Sequence, residues 1–174
     1  AENFRAFRSA NYPVLADVGI HIKYNPSCIM YPDKSYASLQ VSEKLDTRVA
    51  VLKVFPGITP QVMDAILGME GLRGVVLETF GSGNAPTAEW FVTRIKDAVR
   101  KGLVVLNVTQ CLAGKVDMDA YATGVALKNE GVISGYDSTV EAALTKMFYV
   151  LGQSEDLSKV KLLLNSNLRG EISI

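Results

Sequence analysis

The chain has 174 residues, 48% of them hydrophobic, which suits one globular domain with a sizeable core and excludes a disordered composition. Eighteen Lys and Arg balance eighteen Asp and Glu, with no block of like charge, so no long-range field draws the chain to nucleic acid or an anionic membrane. No apolar run is long enough for a membrane span, and two cysteines with a single histidine make neither a disulfide framework nor a usual zinc site.

In chain order, Ile20 to Tyr24 and Tyr36 to Val41 read as strands flanking a Pro-containing turn region, an antiparallel pair at the sheet edge. His21 falls in the first of these, with no visible partner and no catalytic role. Val49 to Phe55, Gly74 to Thr79 and Leu103 to Val108 are short β-branched runs. Their near-continuous apolar character predicts a parallel sheet covered on both faces.

Segments of helical period lie between and after these runs. The first helix starts at Thr59-Pro60, with Ile58 and Met63 placed as a hydrophobic staple and Gly68 as the stop. The second runs from about Thr87 to Lys101, buries Phe91, Ile95 and Ala98, and ends at Gly102. A third covers Tyr121 to Asn129, although Gly124 weakens it. Ser138 and Glu141 read as a capping box for the fourth, with Val140, Leu144, Met147, Phe148 and Leu151 on one face and Gly152 as the stop. Ser154 is the expected cap of a fifth, carrying Leu157, Val160 and Leu164. Strand–helix alternation implies right-handed crossovers. The expected fold is a small α/β domain, Rossmann-like or flavodoxin-like, with about four mostly parallel strands, helices on both faces and an edge β-hairpin.

Ligands of open parallel sheets bind beyond the carboxyl ends of the strands. Three segments leave strands there: Phe55 to Pro60, Thr79 to Pro86 and Asn107 to Gly114. In the second, Gly81 and Gly83 permit tight or positive-φ backbone, and Ser82 and Asn84 would present polar groups beside a helix N-terminus. The third glycine of a dinucleotide fingerprint and the Lys of a P-loop are both missing. The turn therefore reads either as a site for a carboxylate or phosphate or as an ordinary strand-to-helix connection. Tyr121, at a loop-to-helix boundary, is either a hydrogen-bond donor near a base or a packing residue. Thr109, Gln110 and Cys111 end a strand and reach a small polar ligand if one binds there; Cys111 is expected to behave as a small buried apolar residue. Glu141 and Lys146 read as a solvated helical face.

The motifs in combination identify a relationship. Leu77 to Pro86 resembles the GxGNxP turn of type I (cytoplasmic-type) L-asparaginases, and Asn107 to Gly114 resembles their next strand end. Tyr121-Ala122-Thr123-Gly124, Gly131 to Gly135, Glu141 to Lys146 and Leu168-Arg169-Gly170-Glu171 follow in the family's order, and Phe4 to Gly19 resembles the connection into its C-terminal domain. The resemblance covers essentially the whole chain and implies that residues 1–174 are that domain, from an enzyme that hydrolyses L-asparagine to aspartate and ammonia in the cytoplasm without metal or organic cofactor. The nucleophile of the family lies in an N-terminal TGGTI motif, which this sequence lacks, and the family's catalytic Lys would fall just before Ala1. The partners implied are the N-terminal domain and a second copy, in a homodimer or dimer of dimers. By the resemblance, Asn84 reaches a neighbouring subunit's substrate near its α-amino and carboxylate groups, Ser82 lies beside it, and Tyr121 approaches the neighbouring nucleophile as an auxiliary group. Some bacterial relatives bind asparagine at a second, allosteric site through an arginine before the Gly-rich turn and a cysteine after the next strand. Cys111 matches the cysteine, but Glu78 replaces the arginine and would repel a carboxylate, so hyperbolic saturation is expected of the intact enzyme. Two other readings are kept: an asparaginase-like subunit of a tRNA-dependent amidotransferase, and a non-enzymatic amino-acid-binding or dimerisation module.

Overall fold

The computed structural model describes residues 9–31, 39 and 41–173. They fall into two units, one up to Ser42 and one from Glu43 onward.

In the first unit, β1 (Ala16–Val18) pairs antiparallel with β2 (Ile22–Tyr24), with Asp17 opposite Lys23. A single 3-10 turn follows at Pro26–Cys28. The Asn25 N–H donates to Leu15 O at 2.8 Å, and the Tyr12 hydroxyl donates to Cys28 O at 2.9 Å. The hairpin therefore closes earlier in the chain than its sequence pattern implied. The chain reverses over Gly19 to His21, so Ile22 to Tyr24 finds its partner behind it, and His21 lies in the turn rather than in a strand. Of the other expected strand, Tyr36 to Val41, residues 36–38 and 40 lie outside the described residues, as do Phe4, Ala6 and Phe7; Leu39 and Val41 carry no strand.

The second unit alternates strand and helix: β3 (Val49–Lys53), α1 (Pro60–Leu67), β4 (Gly74–Thr79), α2 (Glu89–Arg100), β5 (Val104–Thr109), α3 (Ala122–Asn129), β6 (Ile133–Ser134), α4 (Val140–Gln153) and α5 (Leu157–Leu164). The sheet order is β3-β4-β5-β6, all parallel, with Val51 beside Val76, Val76 beside Leu106, and Leu106 beside Ile133. Every residue of β4 and β5 is buried, as their unbroken apolar runs require. Period-two alternation divides the core. Leu52, Leu77 and Val105 point toward Met63 of α1, Phe91 and Ile95 of α2 and Leu127 of α3. Val76, Leu106 and Val108 point the other way, toward Ala143, Met147 and Val150 of α4, with Val160 and Leu164 of α5 in the same cluster. Ile58 and Met63 enter one core, as a staple would, and Gly102 ends α2 at φ 96°.

Three helix-end readings shift. Thr139 caps α4, its Oγ1 accepting from Ala142 N at 3.2 Å, while Ser138 is buried and donates to the Thr139 carbonyl. Glu141 thus stands one position too early for a capping box. Gly152 lies inside α4, not at its end. A Cβ there would meet the backbone of Lys44 and lie 2.9 Å from Leu45 Cα, so the glycine admits the segment that leads into β3. Asp156, not Ser154, caps α5 by accepting from Ser158 N at 2.8 Å. Phe148 is half-buried and Leu157 exposed; Ala143 and Val150 take the expected core places on α4.

Candidate functional site

β4 carries the chain to the carboxyl edge of the sheet, and the turn after it is a closed bracket. Phe80 N donates to Asn84 O at 2.8 Å, and Gly83 N and Asn84 N donate back to Phe80 O at 3.0 and 2.8 Å. Gly81 (φ 50°) and Gly83 (φ 112°) supply the left-handed backbone this requires. A Cβ at Gly83 would also lie only 3.1 Å from Val116 Cγ1, so the turn presses on the loop after β5. That loop answers with Asp117 N donating to Ser82 O at 2.8 Å, and from the end of β5 the Thr109 hydroxyl donates to Gly81 O.

Asn84 is half-buried, and its Oδ1 accepts from Ala85 N at 3.0 Å and from the Thr123 hydroxyl at 2.8 Å. The turn is expected beside a helix N-terminus. α2 begins only at Glu89, and the helix start that meets the turn is that of α3, through Thr123. Tyr121, the N-terminal flanking residue of α3, is 48% exposed. Its hydroxyl makes no hydrogen bond among the described residues, and neither does that of half-buried Ser82. Gly124 explains itself here: a Cβ would stand 2.7 Å from Met118 O, so its absence lets the first turn of α3 seat against the 115–119 loop.

Beneath the turn lies a polar layer that sequence reasoning missed. Asn107, fully buried in β5, accepts from the Thr79 hydroxyl through Oδ1 at 2.7 Å. Its Nδ2 is the one buried side-chain nitrogen or oxygen without a partner among the described residues. A polar residue inside the run Leu103 to Val108 was the available signal, because a buried amide needs partners. Thr123 left no comparable mark, since its partner is 39 residues away.

Other candidates are dispersed. Glu78, buried near the end of β4, stands 3.6 Å from Lys53, its register partner on β3. Gln110 bridges strand ends by donating to the carbonyls of Val54 and Glu78. Cys111 is exposed, not buried: β5 ends at Thr109, and the chain turns outward with Cys111 N held by Thr109 Oγ1 at 3.0 Å. Lys146 is also corrected. It is buried, donates to Leu164 O and Ser166 O at 2.9 and 2.6 Å, and pairs with Glu171 at 2.7 Å. Burial pushes the Glu171 carboxyl up, but the Lys146 ammonium and the N–H groups of Leu168 and Arg169 hold it down at about 2. Glu141 is exposed, as expected.

Clefts of about 580 and 510 Å³ lie elsewhere, one against α4, α5 and the 168–171 segment, the other against the 115–119 loop and Tyr136. Asn84, Ser82 and Tyr121 line neither. Among the described residues no group of three or more His, Cys, Asp or Glu gathers for a metal, and no helix is long and apolar enough to cross a membrane.

Residues 48–164 match the family described as Glutaminase/Asparaginase C-terminal domain. L-asparaginase 1 of Escherichia coli K12 is 38% identical over 99% of this chain and 50% of its own length. The human 60 kDa lysophospholipase is 44% identical over 99% of this chain and 30% of its own length. The crystal structure of L-asparaginase I from Vibrio cholerae superposes with a TM-score of 0.88 at 40% identity, over 97% of this chain and 50% of that one. The chain thus spans about half the length of these two asparaginases, and less of the human protein.

Proposed function

The chain belongs to the glutaminase/asparaginase C-terminal domain family, and on that premise we propose that it is the C-terminal half of a cytoplasmic L-asparaginase, hydrolysing L-asparagine to aspartate and ammonia. The nucleophile belongs to an N-terminal domain of the same protein. Asn84 binds substrate, with Ser82 beside it, and Tyr121 assists proton handling, each directed at the active site of a neighbouring subunit in a homodimer or dimer of dimers. Residues 1–174 alone are inactive in this reading.

The observation that supports it is the tie between the Gly-rich turn and the start of α3. The Gly81–Asn84 bracket and the start of α3 are tied together by Thr123, while the Tyr121 and Ser82 hydroxyls and Asn84 Nδ2 donate to nothing among the described residues. Preorganised polar groups suit a site completed from another surface, where small displacements cost large factors in rate. Glu78, a carboxylate paired with Lys53, stands against an arginine-type clamp for a second asparagine.

The test is made in the protein that carries both halves. Asn84→Ala is expected to lower kcat/KM for asparagine by about 10²-fold and Tyr121→Phe by about tenfold or more, without loss of fold. Wild-type rates in both variants would remove these residues from the site. Turnover of a lysophospholipid in place of asparagine would assign the chain to the activity named for its human relative.

A further inference from the structure

We propose that Asn84 meets its ligand through Nδ2 alone, as a donor to a carboxylate or carboxamide oxygen and not as an acceptor from an ammonium, and that Thr123 is the positioning residue that sets this polarity. The ligand part rests on the substrate-binding reading of the turn. The polarity itself follows from the hydrogen bonds.

An asparagine amide is asymmetric: one end only accepts, the other only donates. Ala85 N–H can only donate, so the Asn84 atom 3.0 Å from it is the oxygen. A flipped amide would set NH₂ against N–H, with no bond formed. The Thr123 hydroxyl, 2.8 Å from the same oxygen, then donates as well. Two donors occupy the two lone pairs of Oδ1, and the acceptor end is spent inside the protein.

The donor end is free. Asn84 Nδ2 donates to no atom among the described residues. Asn84 is half-buried, and among the described residues the buried side-chain nitrogen without a partner is Asn107 Nδ2, not this one. An ammonium arriving here finds no acceptor, whereas an oxygen finds an N–H. Swinging the side chain would break the Ala85 and Thr123 bonds, and the backbone of Asn84 is already bonded in both directions to Phe80. Thr123 is buried in the first turn of α3, so the seating of that helix, which Gly124 permits, transmits to the amide. For an amino-acid amide, Asn84 therefore reads the carboxylate or the amide oxygen and leaves the α-ammonium to other groups.

Asn84→Asp discriminates. The carboxylate keeps one oxygen for Ala85 and Thr123 and replaces Nδ2 by an anionic acceptor of the same shape. In the protein that carries both halves, KM for asparagine should rise about tenfold or more. A KM equal to or below that of the wild type would reveal an ammonium contact and overturn the proposal. Thr123→Val should raise KM several-fold with a smaller change in kcat, and Thr123→Ser, which keeps the hydroxyl, should restore it; equal effects of Val and Ser would remove Thr123 from the role. A second readout needs no turnover. In the 174-residue chain, the Asn84 carboxamide NMR resonance should shift toward that of a free amide in Thr123→Val and stay in place in Thr123→Ser. A nuclear Overhauser contact between the Asn84 NH₂ protons and the Ala85 N–H closer than geometry across Oδ1 allows would mean a flipped amide and refute the assignment. A wild-type protein without asparaginase activity would refute the proposed function, while these spectra would still decide the amide's orientation.

Discussion

A lysine inside a protein is tolerated when its charge is answered, and Lys146 is answered by two carbonyls at the end of α5 and by Glu171. Glu171 is lowered from 4.5 to about 2, and Asp46 is lowered too, by Arg48 first and Arg73 second against the opposing effect of burial. A carboxyl with a folded-state pKa below its unfolded value stabilises the fold above the unfolded value and ceases to do so as pH falls through the folded one. For Glu171 the contribution is on the order of 3 kcal/mol at neutral pH and disappears between pH 4.5 and about 2. The midpoint of thermal unfolding should therefore fall across that window, and Glu171→Gln should start lower and flatten the fall. A variant that keeps the wild-type slope would place the acid sensitivity elsewhere. None of this was legible in the sequence. Lys146 follows Thr145 and shares its helix with Glu141, which reads as a polar stripe; its burial comes from residues 164–171 folding back over α4, a contact no local pattern contains.

The legible elements were strands buried on both faces and a helix with one apolar face. β4 runs from Gly74 to Thr79, as its apolar run implied, and α2 buries the three residues its period selects. β6 is two residues long and leaves no pattern to read. The instructive element is α4, because glycine is ambiguous: Gly152 obeys the local rule for a stop, yet its position is set by the Lys44–Leu45 backbone packed against it. Gly74, at the start of β4, is close to the ends of Met147 and Leu151 instead, flexible side chains that can give. Gly152→Ala should thus destabilise more than Gly74→Ala, both on the order of 1–3 kcal/mol in denaturant unfolding. The reverse order would mean that the segment before β3 moves more easily than the core.

At the scale of the whole molecule, the sheet edge and its Gly-rich turn could be found from strand ends and glycine spacing, and the family resemblance from motif order. The tie between Asn84 and Thr123 could not, because it joins two loops that only the fold brings together. The same limit applies to the active site, which in this account is divided between two domains and two subunits. Asparagine hydrolysis measured side by side, for residues 1–174 and for the same residues joined to their N-terminal domain, tests that division most directly. The joined protein is expected to release ammonia from asparagine and the 174-residue chain to release none. Turnover by the chain alone would contradict the account, because a nucleophile would then have to lie within these residues.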